Sequence, residues 1–166
     1  MNGNKKSASI FGENVITAIS IGFFLVLVGI LFLITPNLFG EIIDLLSDFK
    51  LVEAVPNSNV IFPGPETPDA FSVVYIAAVQ FSLALGIFQI VILALRFFIS
   101  SPWEKRAETV GNLVFWLGTG FLIQSLLLEP ILIETSQWFM FWSSVIMLIG
   151  VSLIARAGVM AVARIV

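Results

Sequence analysis

The chain has 166 residues, of which 58% are hydrophobic and 11% charged, where an ordinary soluble domain carries about 25% charged residues. That composition excludes a soluble globular protein. With neither His nor Cys present, an imidazole base, a thiolate, a disulfide, the usual zinc sites and a histidine-ligated haem are excluded too.

Four stretches lack Asp, Glu, Lys and Arg, namely 14–40, 70–95, 109–128 and 135–155. Each reaches the roughly 20 residues that cross a bilayer. The expected fold is all-α, a single polytopic membrane domain over 1–166. Its four transmembrane helices, at about 14–35, 69–96, 107–128 and 136–157, form an antiparallel bundle. The cations sort against these spans. Lys5 and Lys6 precede the first, Arg96, Lys105 and Arg106 lie between the second and third, and Arg156 and Arg164 follow the fourth; only Lys50 falls on the other side. Seven cations and three carboxylates thus share one side, and one cation and eight carboxylates the other, net +4 and −7 within the total of −3. Because cytoplasmic loops hold the excess of positive charge, both termini are expected in the cytoplasm, with the spans in the cell membrane. Lys5 and Lys6 before an apolar run imitate a secretory signal. The run is longer than the usual core of about 7 to 15 residues and no small-residue cleavage site follows, so a retained span is expected.

In chain order, residues 1–12 read as a short polar lead. After the first span, Thr35-Pro36 reads as a new helix start, threonine as N-cap and proline at the first helical position. An extracytoplasmic interfacial amphipathic helix is expected at about 36–53. There Leu38, Ile42, Leu45 and Phe49 are apolar, while Glu41, Asp44 and Asp48 recur on the opposite face at i, i+3 and i+7. That acidic face is expected to be solvated, since three carboxylates on one helix face do not make the oxygen shell of a calcium or magnesium ion. Four prolines in 54–68 make this stretch an extended, stiff loop. Thr67-Pro68 opens the second span, and Ser101-Pro102 the third, with Glu104 completing a capping box on Ser101. Glu129-Pro130 closes the third span. The fourth begins near Thr135 and continues to the C-terminus, about 45 Å of helix against a hydrocarbon thickness of about 30 Å. Trp138 and Trp142 mark the outer interface, and Trp103, Phe97 and Phe98 the inner one.

Lipid offers no hydrophobic drive between spans, so small residues that let backbones approach mark the contact faces. They recur at spacings of four and seven, which suits a left-handed bundle. The first span has Ala18, Gly22 and Gly29, and the second Ala78, Ser82 and Gly86. The third has Gly111, Gly118 and Ser125, and the fourth Ser143, Gly150 and Ala157. Leucine at Gly86 or Gly118 is expected to break assembly. Amides and hydroxyls inside the spans are costly unless partnered, and Gln80, Gln89, Asn112, Thr119 and Gln124 are of this kind. Gln80 and Gln124 share an outer depth, Gln89 and Asn112 an inner one. Gln89 shares its stripe with Ser82 and Gly86, so the expected pair in the seam is Gln89 with Asn112.

No carboxylate lies within a span, which argues against ion-coupled transport. With no glycine-rich phosphate loop and no basic aromatic patch, neither a cofactor nor a nucleic-acid partner is expected. The leading expectation is a non-enzymatic protein that works by helix–helix association, as an accessory subunit of a membrane complex or as a homo-oligomer. Its partners are then the lipid bilayer and other subunits or copies of itself. The alternative is a passive channel or facilitator for small cations or neutral solutes, with Gln80, Thr119 and Gln124 lining the path and the acidic outer surface concentrating cations. A third is a lipid-modifying enzyme acting at the inner surface through Glu104 or Glu108. Arg96, Lys105, Arg106, Arg156 and Arg164 are placed to gather anionic headgroups there.

Overall fold

Pro36, Pro68, Pro102 and Pro130 all fall at or beside helix boundaries in the computed structural model, which describes residues 2–54, 59–130 and 134–165, residues 2–11 by backbone alone. The elements are α1 (Asn2–Ile34), α2 (Leu38–Ser47), β1 (Phe49–Glu53), β2 (Ile61–Pro65), a 3-10 turn (Pro68–Phe71), α3 (Ser72–Phe98), α4 (Trp103–Ile123), a π turn (Gln124–Leu128) and α5 (Thr135–Val162). Four helical stretches are long and apolar enough to cross a membrane: Gly12–Ile34, Pro68–Phe98, Trp103–Leu128 and Thr135–Val162.

Several boundaries differ from the expected ones. α1 already starts at Asn2, because no proline interrupts residues 2–12. At the next junction Asn37, not Thr35, is the N-cap, in the left-handed region at φ 54°, which asparagine tolerates better than most residues. No capping box forms at Ser101. Its hydroxyl is buried without a partner, and Pro102 caps α4 instead. The box occurs at α5, where the Glu134 side chain and the Gln137 backbone, and the Gln137 side chain and the Glu134 backbone, bond reciprocally.

The largest departure lies between α2 and α3. The amphipathic helix stops at Ser47 rather than continuing to 53, and the chain turns into an antiparallel β1–β2 hairpin pairing Phe49 with Pro65 and Glu53 with Ile61. Two prolines within a strand argue against a sheet on sequence grounds. Their positions remove the conflict. The Ala54 N–H donates to the Val60 carbonyl at 2.9 Å and the Glu66 N–H to the Asp48 carbonyl at 3.2 Å, so the hydrogen-bonded pairs alternate through Val52–Phe62 and Lys50–Gly64. Pro63 and Pro65 occupy the positions in between, where no N–H is required. A lone hairpin is marginal in water, and this one is seated on α5. Phe49 meets Trp138 edge-on at 6.0 Å, and Phe62 lies 6.0 Å from Phe139. Residues 55–58, in the expected proline-rich loop, and 131–133, before α5, lie outside the described residues.

α1 packs on α3, α3 on α4 and α4 on α5, each antiparallel to its neighbour. Close approaches set the registers: Phe23 stacks on Phe88 at 4.0 Å, Gly86 lies against Leu117, and Gly118 against Leu148. One core, made by Phe71, Tyr75, Val79, Ile123, Leu127, Trp138 and Phe141, joins α3, α4 and α5 near the acidic end of the helices. A second, made by Leu27, Leu31, Leu38, Ala77 and Leu85, joins α1, α2 and α3. α2 reaches these cores through Leu38, Ile42 and Leu45, one helical stripe at i, i+4 and i+7. Phe39, Ile43 and Leu46 stay exposed beside it. The turn from α3 to α4 is a Schellman motif, with Ser100 at φ 54° and the Ser101 N–H donating to the Arg96 carbonyl at 3.0 Å.

Candidate functional site

At the basic end, α1, α3 and α4 are tied together by Arg96, which sequence reading treats as an orientation signal and a headgroup contact. Arg96 stands in the last turn of α3, where the helix dipole favours a positive charge. Its Nη2 lies 3.4 Å from Glu13 Oε2 of α1, and both side chains are largely withdrawn from solvent, at 11% and 17% exposure. Nη1 donates to the Lys105 carbonyl and to Thr109 Oγ1 on α4. The Thr109 hydroxyl in turn donates to the Lys105 carbonyl at 2.9 Å. Three helices thus converge on one guanidinium. The spacing of Glu13 and Arg96 in sequence carries no signal of this pair, because antiparallel register brings together residues more than 80 positions apart.

At the acidic end, the hairpin and α5 enclose an open, mainly apolar groove of about 790 Å³, lined among others by Phe49, Phe62, Trp138, Phe139, Trp142 and Ile146. The expected solvated acidic face of α2 is only partly so. Asp44 is exposed, but Asp48 accepts hydrogen bonds from the Thr67 N–H at 2.8 Å and the Thr67 hydroxyl at 3.1 Å. It therefore clasps the end of α2 to the start of the 3-10 turn. Glu41 is half-buried. Beside this clasp Lys50 pairs with Glu66 across the hairpin, and the Glu66 hydrogen bond, then its charge, raises the Lys50 ammonium above its ordinary value. Among the described residues no cluster of three or more carboxylates is positioned to hold a metal.

The small residues divide into two groups. Gly86, Gly111 and Gly118 are packed within the chain. A Cβ on Gly86 would lie 2.4 Å from a methyl of Leu117, one on Gly118 2.5 Å from a methyl of Leu148, and one on Gly111 3.2 Å from the Ser152 carbonyl. Ser82 is buried, and its Cβ lies 3.5 Å from the Cβ position of Gly120. Ala78 packs against the first core, and Ser125 is half-buried in the π turn. Gly22, Gly29 and Gly150, by contrast, have no atom within 4 Å of a built Cβ. Ala18, Ser143 and Ala157 are exposed on the same two helices, α1 and α5.

The polar residues of the long apolar helices do not pair as expected. Gln89 is half-buried, Asn112 is exposed, and no hydrogen bond joins them among the described residues. α4 turns Thr109, Leu117 and Gly120 toward α3 and Gly111 and Gly118 toward α5. Asn112, about 100° on from Gly111, belongs to neither face. Gln80 lines a pocket of about 230 Å³ with Ile34, Thr35 and Pro36 at the end of α1, a pocket that neither Thr119 nor Gln124 lines. Gln124 is exposed, and the Thr119 hydroxyl is buried without a partner. The Tyr75 hydroxyl is likewise buried and unpartnered within the first core. Of the two carboxylates considered for chemistry, Glu108 is engaged by Lys105 at 3.1 Å and Glu104 is exposed.

The accessible features of the described residues are surfaces: an aromatic groove at one end and small-residue faces on the outermost helices. Comparison with family models, curated proteins and solved structures finds no match to this chain.

Proposed function

We propose that this chain is a multi-pass, non-enzymatic protein of the cell membrane with cytoplasmic termini. On this reading it acts by helix–helix association, as an accessory subunit of a membrane complex or as a homo-oligomer. Four sufficiently long apolar helices support membrane insertion, and the sorting of seven of eight cations to one end supports the orientation. The observation that carries the reading is the pair of unfilled small-residue faces. Ala18, Gly22 and Gly29 on α1, and Ser143, Gly150 and Ala157 on α5, are all exposed and repeat at four or seven residues. In lipid, close backbone approach at such faces is a main source of helix affinity. Gly86 and Gly118 are taken up inside the chain, so the residues that bear on assembly are the outward ones.

The test is native mass spectrometry of the chain released from its own membranes in mild detergent, for the wild type and for Gly22→Leu and Gly150→Leu. A heteromer or closed homo-oligomer that dissociates in at least one variant is expected. A wild-type monomer, or assembly unchanged in both variants, would overturn the reading.

A further inference from the structure

At the basic end, α3, α4 and α5 leave a second groove of about 360 Å³, walled by Leu93, Phe97, Val110, Ala155, Gly158 and Val159. Its surface is almost wholly apolar, and among the described residues Arg106 is the sole charged one lining it. The Arg106 guanidinium lies 4.6 Å from the Phe97 ring centre and 5.0 Å from that of Trp103. Its Nε is buried without a hydrogen-bond partner. Among the described residues, Arg96 is neutralised by Glu13 and Lys105 by Glu108, whereas no carboxylate pairs with Arg106. Nor does the helix compensate. Arg106 stands in the first turn of α4, where the positive end of the dipole disfavours a cation and favours an anion.

An unpaired cation held on two aromatic rings beside an open hydrocarbon groove matches a ligand with an anion at one end and an aliphatic chain at the other. We propose that this groove binds an anionic phospholipid, its phosphate on Arg106 and one acyl chain between α3, α4 and α5. The inference rests on the membrane reading above, since the bilayer supplies the ligand. A free phosphate would satisfy Arg106 and leave the groove empty, so the apolar walls favour the lipid. The rim agrees, because Phe97 and Trp103 are exposed, as aromatic residues are at a headgroup boundary.

The test uses the full chain in mild detergent, with phosphatidylglycerol or phosphatidylcholine of matched acyl chains added and bound lipid counted by native mass spectrometry. Phosphatidylglycerol is expected to be retained over phosphatidylcholine. Arg106→Gln should weaken its binding about tenfold, in line with loss of one charge-assisted contact. Arg106→Lys should keep part of the preference. Gly158→Leu, at a position where an added Cβ meets no atom within 4 Å, should fill the groove and lower retention with the charge intact. Equal retention of the two lipids by the wild type overturns the proposal. So does undiminished phosphatidylglycerol binding in both Arg106→Gln and Gly158→Leu, or full displacement of the lipid by inorganic phosphate. Carbonate washing of the source membranes separates the two readings. A chain stripped into solution overturns membrane insertion and the lipid site together, whereas a chain that stays in the membrane but does not discriminate between lipids overturns the lipid site alone.

Discussion

The central helices and the outer ones use the same residue type in opposite ways. In α3 and α4, 33% and 28% of the most apolar stretch is buried; in α1 and α5 the shares are 11% and 6%. Apart from Gly12 of α1, where a Cβ would lie 2.9 Å from Ile99, the glycines of these helices follow the same division. Those at 86, 111, 118 and 120 have a neighbour within about 3 Å of where a Cβ would stand, and those at 22, 29, 150 and 158 have none within 4 Å. A glycine in a helix costs roughly 0.5 to 1 kcal/mol relative to alanine. In the centre, close packing offsets that cost. At Gly22, Gly29, Gly150 and Gly158 nothing among the described residues does, which leaves the outer faces, rather than the seams already filled, open to the proposed association.

The largest expected effect tests what holds an outer helix to the centre. Arg96→Met leaves the Glu13 carboxylate without its cation and should destabilise the fold by about 3 kcal/mol, at the low end for a broken buried pair. The double variant with Glu13→Gln should recover part of the loss, and thermal unfolding in detergent followed by tryptophan fluorescence reads both. If Arg96→Met costs nothing, α1 is held by its apolar contacts with α2 and α3 alone. A smaller pair of changes sharpens the glycine comparison through their signs. Gly86→Ala forces Leu117 aside and should cost about 1 to 3 kcal/mol, whereas Gly150→Ala in the isolated chain should gain up to about 1 kcal/mol. Equal signs in the same unfolding assay would dissolve the distinction between packed and open glycines.

The smallest effect belongs to the hairpin. The ammonium of Lys50 is raised by Glu66, so its contribution is fully present below the ordinary lysine value and is lost only as pH climbs through the raised one. Amide hydrogen exchange at Val52, corrected for intrinsic rate, should show unchanged protection between about pH 6 and 9. Loss of protection inside that window would mean that some other group holds the strand. Because the pair is exposed on both sides, even its removal should leave the seating of Phe49 and Phe62 on α5 intact.

Where sequence reading fell short, the missing information was non-local. Sequence alone assigns Pro63 and Pro65 to a loop because a strand proline is admissible only once its partner's register is known. Gln89 and Asn112 match in depth along antiparallel helices, yet the rotation of each helix depends on which neighbours it packs against. α4 has one face on α3 and another on α5, and Asn112 belongs to neither. Glu13 and Arg96 both fall at the basic end in sequence, and nothing in either segment marks them as partners. Asp48 reads as part of a solvated face because Thr67, which donates two hydrogen bonds to it, lies 19 residues away.

The sequence by itself determined the four long apolar helices and the proline-marked boundaries near them. Both are local properties: run length is compared with a fixed thickness, and a missing N–H acts within one turn. It also determined the sorting of charge between the two ends, which needs only the order of the segments. The tertiary structure alone decided the β hairpin, the Arg96 clasp, the two grooves and the division of the glycines into used and unused. Each of these depends on distances between segments far apart in the chain, and the same side chains serve several registers equally well until helix packing selects one.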